Sequence, residues 1–151
     1  MDFQIVLPGK TIAGKGALSR AELGKYGKKP LIVTGKHTAK SQAAAELLKY
    51  APDGVVFDGI TGEPTVEMIN AGVAAYHDNS CDHVIGIGGG SALDSAKAIA
   101  AMSALGGNIA DYMGKEIDGV FPPMILIPTT AGTGSEATKF TIITDTEKDI
   151  K

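Results

Sequence analysis

Four short apolar runs alternate with helix-like stretches along this 151-residue chain, at 31–35, 54–60, 83–88 and 124–129. The runs are almost uninterrupted, which is typical of strands in a sheet covered on both faces. The helix-like stretches carry one apolar stripe, as in Val66, Ile69, Val73 and Tyr76. Strand–helix–strand repetition requires parallel pairing with right-handed crossovers. We therefore predict an α/β fold with a doubly wound, Rossmann-like parallel sheet.

The two ends of the chain follow a different pattern. Residues 3–18 predict an amino-terminal β-hairpin that turns around Pro8 and Gly9. Residues 141–144 predict a strand, and a turn at 145–148 begins a return that stops at Lys151. We therefore expect residues 1–151 to be one domain taken from a longer protein.

Composition excludes several classes of partner. The net charge is −3 and no stretch concentrates lysine or arginine, so a nucleic-acid partner is not expected. No run reaches the roughly 20 apolar residues of a membrane helix, and the amino terminus is not a signal peptide. The single cysteine, Cys81, suits a reducing compartment. We predict a cytoplasmic protein without a membrane partner.

The most informative stretch for chemistry is GIGGGSALD, residues 86–94. Glycines between a strand and a helix permit positive φ and remove the Cβ atoms that would keep a phosphate from the backbone N–H groups. The helix start adds unpaired donors and the positive end of the helix dipole. The pattern predicts that Gly88, Gly89, Gly90 and Ser91 bind a phosphate; a plain strand-to-helix turn is the alternative. We also predict that Ser91 caps the helix, with Asp94 completing a box-like pattern.

A second loop of similar character is PTTAGTGSEAT, residues 128–138, which directly follows the last apolar run. Its hydroxyl and amide groups can hold a sugar or a phosphate at the carboxyl edge of the sheet, where open α/β sheets bind ligands. An ordinary turn rich in serine and threonine is the alternative. We expect both loops to face one elongated ligand.

Three potential metal ligands lie close together in the sequence, namely His77, Cys81 and His83. Their spacing matches no regular ligand motif, so we interpret this stretch as a connecting loop.

Two stretches together carry a family resemblance: GGGSALDSAKAIA at 88–100 and IPTTAGTGSEAT at 127–138. The pair resembles the amino-terminal cofactor-binding domain of the iron-containing (group III) alcohol dehydrogenases, and GEPT at 62–65 and DYMG at 111–114 extend the likeness over the whole chain. The resemblance implies a dinucleotide-binding domain of a metal-dependent alcohol dehydrogenase or aldehyde reductase. Such an enzyme transfers hydride between the nicotinamide of NAD or NADP and a small alcohol or aldehyde.

The resemblance also implies roles for single residues. The pyrophosphate would lie on residues 88–91, with Asp94 anchoring the helix start. The second loop and the last residue would contact other parts of the cofactor: Thr129 and Thr130 the adenosine side, Thr133 and Thr138 positions further along, and Lys151 the ribose.

The metal, iron or zinc, is held in the family by an aspartate and three histidines of a following helical domain, which is missing from this chain. The resemblance therefore implies that residues 1–151 alone are inactive, and that the intact enzyme is a homodimer.

One departure from the family concerns cofactor choice. Members that prefer NAD commonly read VTD where this chain reads VTG, with Gly35 in place of the acid. A carboxylate there bonds the ribose hydroxyls and repels a 2′-phosphate, whereas a glycine leaves room. Nearby Lys36, His37 and Lys40 offer positive charge. We hypothesise that NADP is tolerated or preferred; the alternative is that these lysines only decorate a helix start.

Three other functions stay open at this point: a metal-free maleylacetate reductase, an enzyme of the glycerol dehydrogenase or dehydroquinate type, and a dinucleotide-binding module without catalysis.

Overall fold

The computed structural model describes residues 9–146 and residue 148. Its strands are β1 (Pro30–Val33), β2 (Val55–Phe57), β3 (His83–Gly88) and β4 (Met124–Pro128). Its α-helices are α1 (Ala17–Arg20), α2 (Lys36–Ala39), α3 (Gln42–Tyr50), α4 (Val66–Asp78) and α5 (Gly90–Leu105). Short 3-10 helices lie at Leu23–Lys25 and Ile109–Tyr112.

The four strands form one parallel sheet in the order β2-β1-β3-β4. The chain leaves β1 toward β2 and then returns to the other side of β1 to form β3, so the strand order reverses between β1 and β3. This confirms the predicted doubly wound α/β fold. In such sheets the crevice outside the carboxyl ends of the two strands at the reversal is where ligands bind.

Alternate strand residues build two cores, one on each face of the sheet. Leu31 and Val84 pack with residues of α4 and α5 on one face. Ile32 and Ile85 pack with Leu47 of α3 on the other. Because both faces are covered, the strands are apolar throughout, and this is why their sequence runs are continuous.

Helix α5 is enclosed by the fold, and every residue from Ala92 to Ala100 is buried. Its alanines allow it to lie very close to β3: a Cβ atom added to Gly86 would be 2.7 Å from the Cβ of Ala96. A helix buried on all sides must also enclose its polar residues, and Asp94 and Lys97 are indeed buried.

The predicted terminal strands differ from the structure. The first strand of the hairpin falls at residues 1–8, outside the described residues, and residues 10–13 are not part of any described strand. Residues 141–143 are not a strand either. Instead, Thr144 makes a single parallel bridge to Thr65, and its carbonyl accepts a hydrogen bond from the N–H of Val66 at 3.1 Å. The segment thus runs beside the start of α4, because that helix offers unpaired N–H groups.

Asp82 ties the turn before β1 to the start of β3. Its carboxylate accepts the N–H groups of Lys28 at 2.7 Å and Lys29 at 3.0 Å, and lies 2.6 Å from Nδ1 of the buried His83. Desolvation alone would raise the pKa of Asp82, but the hydrogen bonds from Lys28, His83 and Lys29 outweigh it and hold that pKa at about 2.

We expect Asp82→Asn to lower the free energy of unfolding by about 1 kcal/mol at neutral pH, a figure reduced to allow for the solvent exposure of the carboxylate. The folded-state pKa is depressed, so the contribution is complete above the unfolded pKa and is lost as the pH falls from about 4 to about 2. Urea unfolding of both proteins between pH 6 and pH 2 measures this. A difference that stays constant over the whole range would contradict it.

Candidate functional site

Three loops meet at the carboxyl edge of the sheet, following β1, β3 and β4. The hydroxyl of Thr34, which follows β1, donates to the carbonyl of Ile87 in β3 at 2.8 Å. The N–H of Thr129, which follows β4, donates to the carbonyl of Gly88 at 2.8 Å. These bonds hold the loop ends together at the point where the strand order reverses.

The glycine turn between β3 and α5 has the backbone that the sequence predicts. Gly88 has φ +148°, a region that side chains disfavour, and a Cβ atom there would lie 2.9 Å from the Cβ of Ala92. Gly89 is extended and forms the N-cap of α5, and its carbonyl accepts the N–H of Leu93 at 3.2 Å. The turn therefore brings bare backbone to the start of a 16-residue helix.

The predicted capping pattern is wrong. Ser91 lies inside α5, whose N-cap is Gly89, so Asp94 is too far into the helix to complete a capping box. No side chain among the described residues caps α5. The reason is that Gly90 already has helical geometry, so the helix begins before the serine. The N–H groups of the first turn consequently keep their capacity to bind a ligand.

The second predicted loop faces this turn. A Cβ atom added to Gly90 would lie 3.2 Å from Ser135 Oγ and 3.2 Å from Thr133 Cγ2, and one added to Gly89 would lie 3.4 Å from Thr130 Oγ1. The missing side chains thus leave a narrow cradle between two loops. Thr129, Thr130 and Thr133 are exposed at its rim. The structure brings these predicted residues together.

Thr138 is also exposed, but its hydroxyl is engaged with α5. It accepts a hydrogen bond from Nζ of Lys97 at 3.4 Å. Lys97 in turn lies 2.9 Å from Oδ1 of Asp94, in an ion pair without hydrogen-bond geometry. Sequence reasoning missed Lys97; the available signal was the acid and base three residues apart on one helix face. The carboxylate of Asp94 therefore pairs with Lys97 and does not cap α5.

Gly35 follows β1 and forms the N-cap of the short helix α2. It bridges Gly59, and a Cβ atom on it would lie only 2.8 Å from the carbonyl oxygen of Ile60. The expectation that the glycine leaves open room is therefore wrong on its Cβ side, because neighbouring backbone fills that space. Lys36 and Lys40 are exposed, and neither has an ion pair within the described residues.

Neither Lys151 nor the residues from His77 to His83 add to the site in the part of the chain that the structure describes. Lys151 lies outside the described residues. Within residues 9–146 and 148, no group of three or more His, Cys, Asp and Glu side chains could hold a metal ion. His77 lies in the last turn of α4 and His83 begins β3, whereas Cys81 is buried in the connection between them, where burial raises the pKa of its thiol. No described helix is long and apolar enough to cross a membrane.

Relatives of this chain are dehydrogenases and reductases. It is 36% identical over 153 aligned residues to an NAD-dependent methanol dehydrogenase of Bacillus methanolicus, covering 96% of this chain and 40% of that protein. An alcohol dehydrogenase from Oenococcus oeni has a similar structure, with a TM-score of 0.89 and 32% identity over 99% of this chain and 42% of that one. A sulfoacetaldehyde reductase from Bifidobacterium kashiwanohense, solved in complex with NAD+, is also similar in structure. Its TM-score is 0.88 and its sequence identity 31%, and the match covers 100% of this chain and 42% of that one.

These matches cover nearly all of this chain but less than half of each relative. The chain spans about 40% of the length of the relatives that it matches. The protein-family model for the "Iron-containing alcohol dehydrogenase" family matches residues 8–151. This chain therefore belongs to the iron-containing alcohol dehydrogenase family.

Proposed function

We propose that this chain is the NAD(P)-binding domain of a metal-dependent alcohol dehydrogenase or aldehyde reductase. The observation that carries the proposal is the cradle between the two loops: bare glycine backbone at the uncapped start of α5 faces the hydroxyl groups of the second loop. A dinucleotide pyrophosphate is a suitable ligand for such a site, because amide donors and the helix dipole both stabilise negative charge. The ligand can also come close to the backbone in this cradle, because Gly89 and Gly90 lack the Cβ atoms that would fill it.

The residues of this chain would bind and orient the cofactor. The bound dinucleotide supplies the hydride chemistry, and the protein supplies position and electrostatics. Backbone N–H groups of residues 88–91 hold the pyrophosphate, and Thr129 and Thr130 meet the adenosine side. Thr133 and Thr138 approach the cofactor at positions beyond its adenosine side. Asp94, Gly35 and Lys151 complete the set proposed for cofactor binding.

The proposal also covers the class of substrate and the metal, but no individual substrate and no metal ligand. Relatives carry names such as methanol dehydrogenase and 1,3-propanediol dehydrogenase, which supports a small alcohol or aldehyde as the substrate. The family is named for iron, but no described residue is assigned to the metal, because these residues present no suitable cluster. Homodimerisation of the intact enzyme and a cytoplasmic location stay predictions.

Calorimetric titration of the intact protein with NAD and NADP tests the proposal. We expect both to bind, and NADP to bind at least as tightly as NAD, because position 35 carries no carboxylate to repel a 2′-phosphate. Lys36→Ala and Lys40→Ala are each expected to weaken NADP binding by about fivefold through loss of a charge-assisted contact, and to leave NAD binding unchanged.

Lys28→Ala is the matched control for these two variants, since Lys28 is also exposed but precedes β1 at the opposite edge of the sheet. NAD binding tenfold or more tighter than NADP would overturn the cofactor preference. Failure of both dinucleotides to bind would overturn the proposed function itself.

A further inference from the structure

We propose that Lys97 is a positioning residue for dinucleotide binding: its ammonium holds residues 138–140 against α5 and thereby holds the second loop against the glycine turn. The inference rests on the proposed function, because it concerns the two halves of the same site.

The surroundings of Lys97 are unusual for a lysine. Its side chain is only 9% exposed and that of Asp94 12%, so the pair is withdrawn from water. Lysine is almost never enclosed unless its charge is matched. Asp94 supplies the opposite charge, and the hydrogen bonds of the ammonium go to one segment, 41 and 43 residues further along the chain: the carbonyl of Thr138 at 3.3 Å, its hydroxyl, and the carbonyl of Phe140.

Few other contacts fix the segment that Lys97 holds: the N–H groups of Ala137 and Thr138 donate to the carbonyl of Gly134 at 2.9 Å and 3.1 Å, which lies within the second loop itself. The residues from Ala137 to Phe140 are all exposed, Phe140 to 70%, so burial of apolar surface does not anchor them. Lys139 pairs with Glu116, but both side chains are exposed, and such pairs contribute little. A second tether also reaches α5: the hydroxyl of Thr141 donates to the carbonyl of Asp94 at 2.7 Å.

The position of Lys97 in α5 connects the second loop to the glycine turn. It lies on the same helix that begins with the glycine turn. A helix is a rigid element, so fixing residues 138–140 to Lys97 fixes the end of the second loop relative to Gly89 and Gly90. The width of the cradle, and with it the fit of the dinucleotide, then depends on an ammonium that need not touch the ligand.

The test uses Lys97→Met in the intact protein, with Lys49→Met as the matched control. Lys49 also pairs with an acid three residues away, Glu46 at 2.7 Å, but its side chain is 70% exposed. Lys97→Met is expected to weaken NAD and NADP binding about tenfold, the loss of roughly one charge-assisted hydrogen bond. Hydrogen exchange is expected to accelerate at residues 135–141 and to stay unchanged in β1 and β3. Lys49→Met is expected to change neither measurement.

A second variant covers the case in which Lys97→Met leaves Asp94 unpaired and does not fold. Thr141→Val removes the other tether without exposing a buried charge, and is expected to weaken binding about threefold with the same local exchange pattern.

The proposal is overturned if Lys97→Met lowers the unfolding midpoint while the folded protein binds dinucleotide as tightly as the wild type. Unchanged exchange at 135–141 in Lys97→Met, or in Thr141→Val when the first variant does not fold, overturns it as well. If the wild type binds neither dinucleotide, the proposed function fails, and the exchange data still decide whether Lys97 holds the loop.

Discussion

Gly90→Val is expected to weaken dinucleotide binding about 30-fold, corresponding to about 2 kcal/mol, because it fills the cradle in which the pyrophosphate is proposed to lie. The Cβ atom alone would lie 3.2 Å from both Ser135 Oγ and Thr133 Cγ2. The two γ carbons of valine need still more space, so the second loop must move away from the start of α5. Titration calorimetry of the intact protein measures the loss for NAD and NADP.

The same variant is expected to remain folded, because Gly90 is half-buried at the first position of α5, where valine has a better helix propensity than glycine, and the contacts it displaces belong to the second loop and not to the core. Gly24→Val is the control, since a Cβ atom on Gly24 meets no atom within 4 Å and this residue lies in the first 3-10 helix. Wild-type affinity in Gly90→Val would show that the dinucleotide does not use this cradle.

Gly86→Ala is expected to lower the free energy of unfolding by about 2 kcal/mol through overpacking between β3 and α5. The new methyl group would lie 2.7 Å from the Cβ of Ala96 and 3.1 Å from Cδ2 of Leu126. Ala96 has no side-chain torsion that could relieve the first contact, because its Cβ atom is fixed to the backbone. The helix must lift from the sheet, and chemical denaturation measures the cost.

A compensating substitution makes this prediction specific. Ala96→Gly removes the opposing methyl group, at a helix-propensity cost of about 1 kcal/mol on its own. In the double variant Gly86→Ala/Ala96→Gly the methyl group has only changed sides, so the two changes should be less destabilising together than the sum of the single effects. Additive effects would mean that the close contact does not limit the packing, and Gly24→Ala serves as the neutral reference.

Much of the site could be predicted from local sequence. The three glycines at 88–90 indicate a strand-to-helix turn with bare backbone, and this is a property of the chain at those positions alone. The helix start was misplaced, because serine is a good cap in general but Gly90 had already begun the helix. Lys97 was missed because a lysine in a helix is usually solvated, and nothing nearby in sequence says that α5 is enclosed.

The sequence by itself determined the four strands of the sheet, their parallel arrangement and the position of the glycine turn, since these depend on continuous apolar runs and on backbone freedom within a few residues. Only the tertiary structure decided what depends on distant atoms. The carbonyl of Ile60 fills the space beside Gly35, residues 133–135 face Gly90, and Lys97 finds its partners beyond position 137. The physical reason is that a hydrogen bond or a close contact is set by distance in space, which a linear pattern does not record.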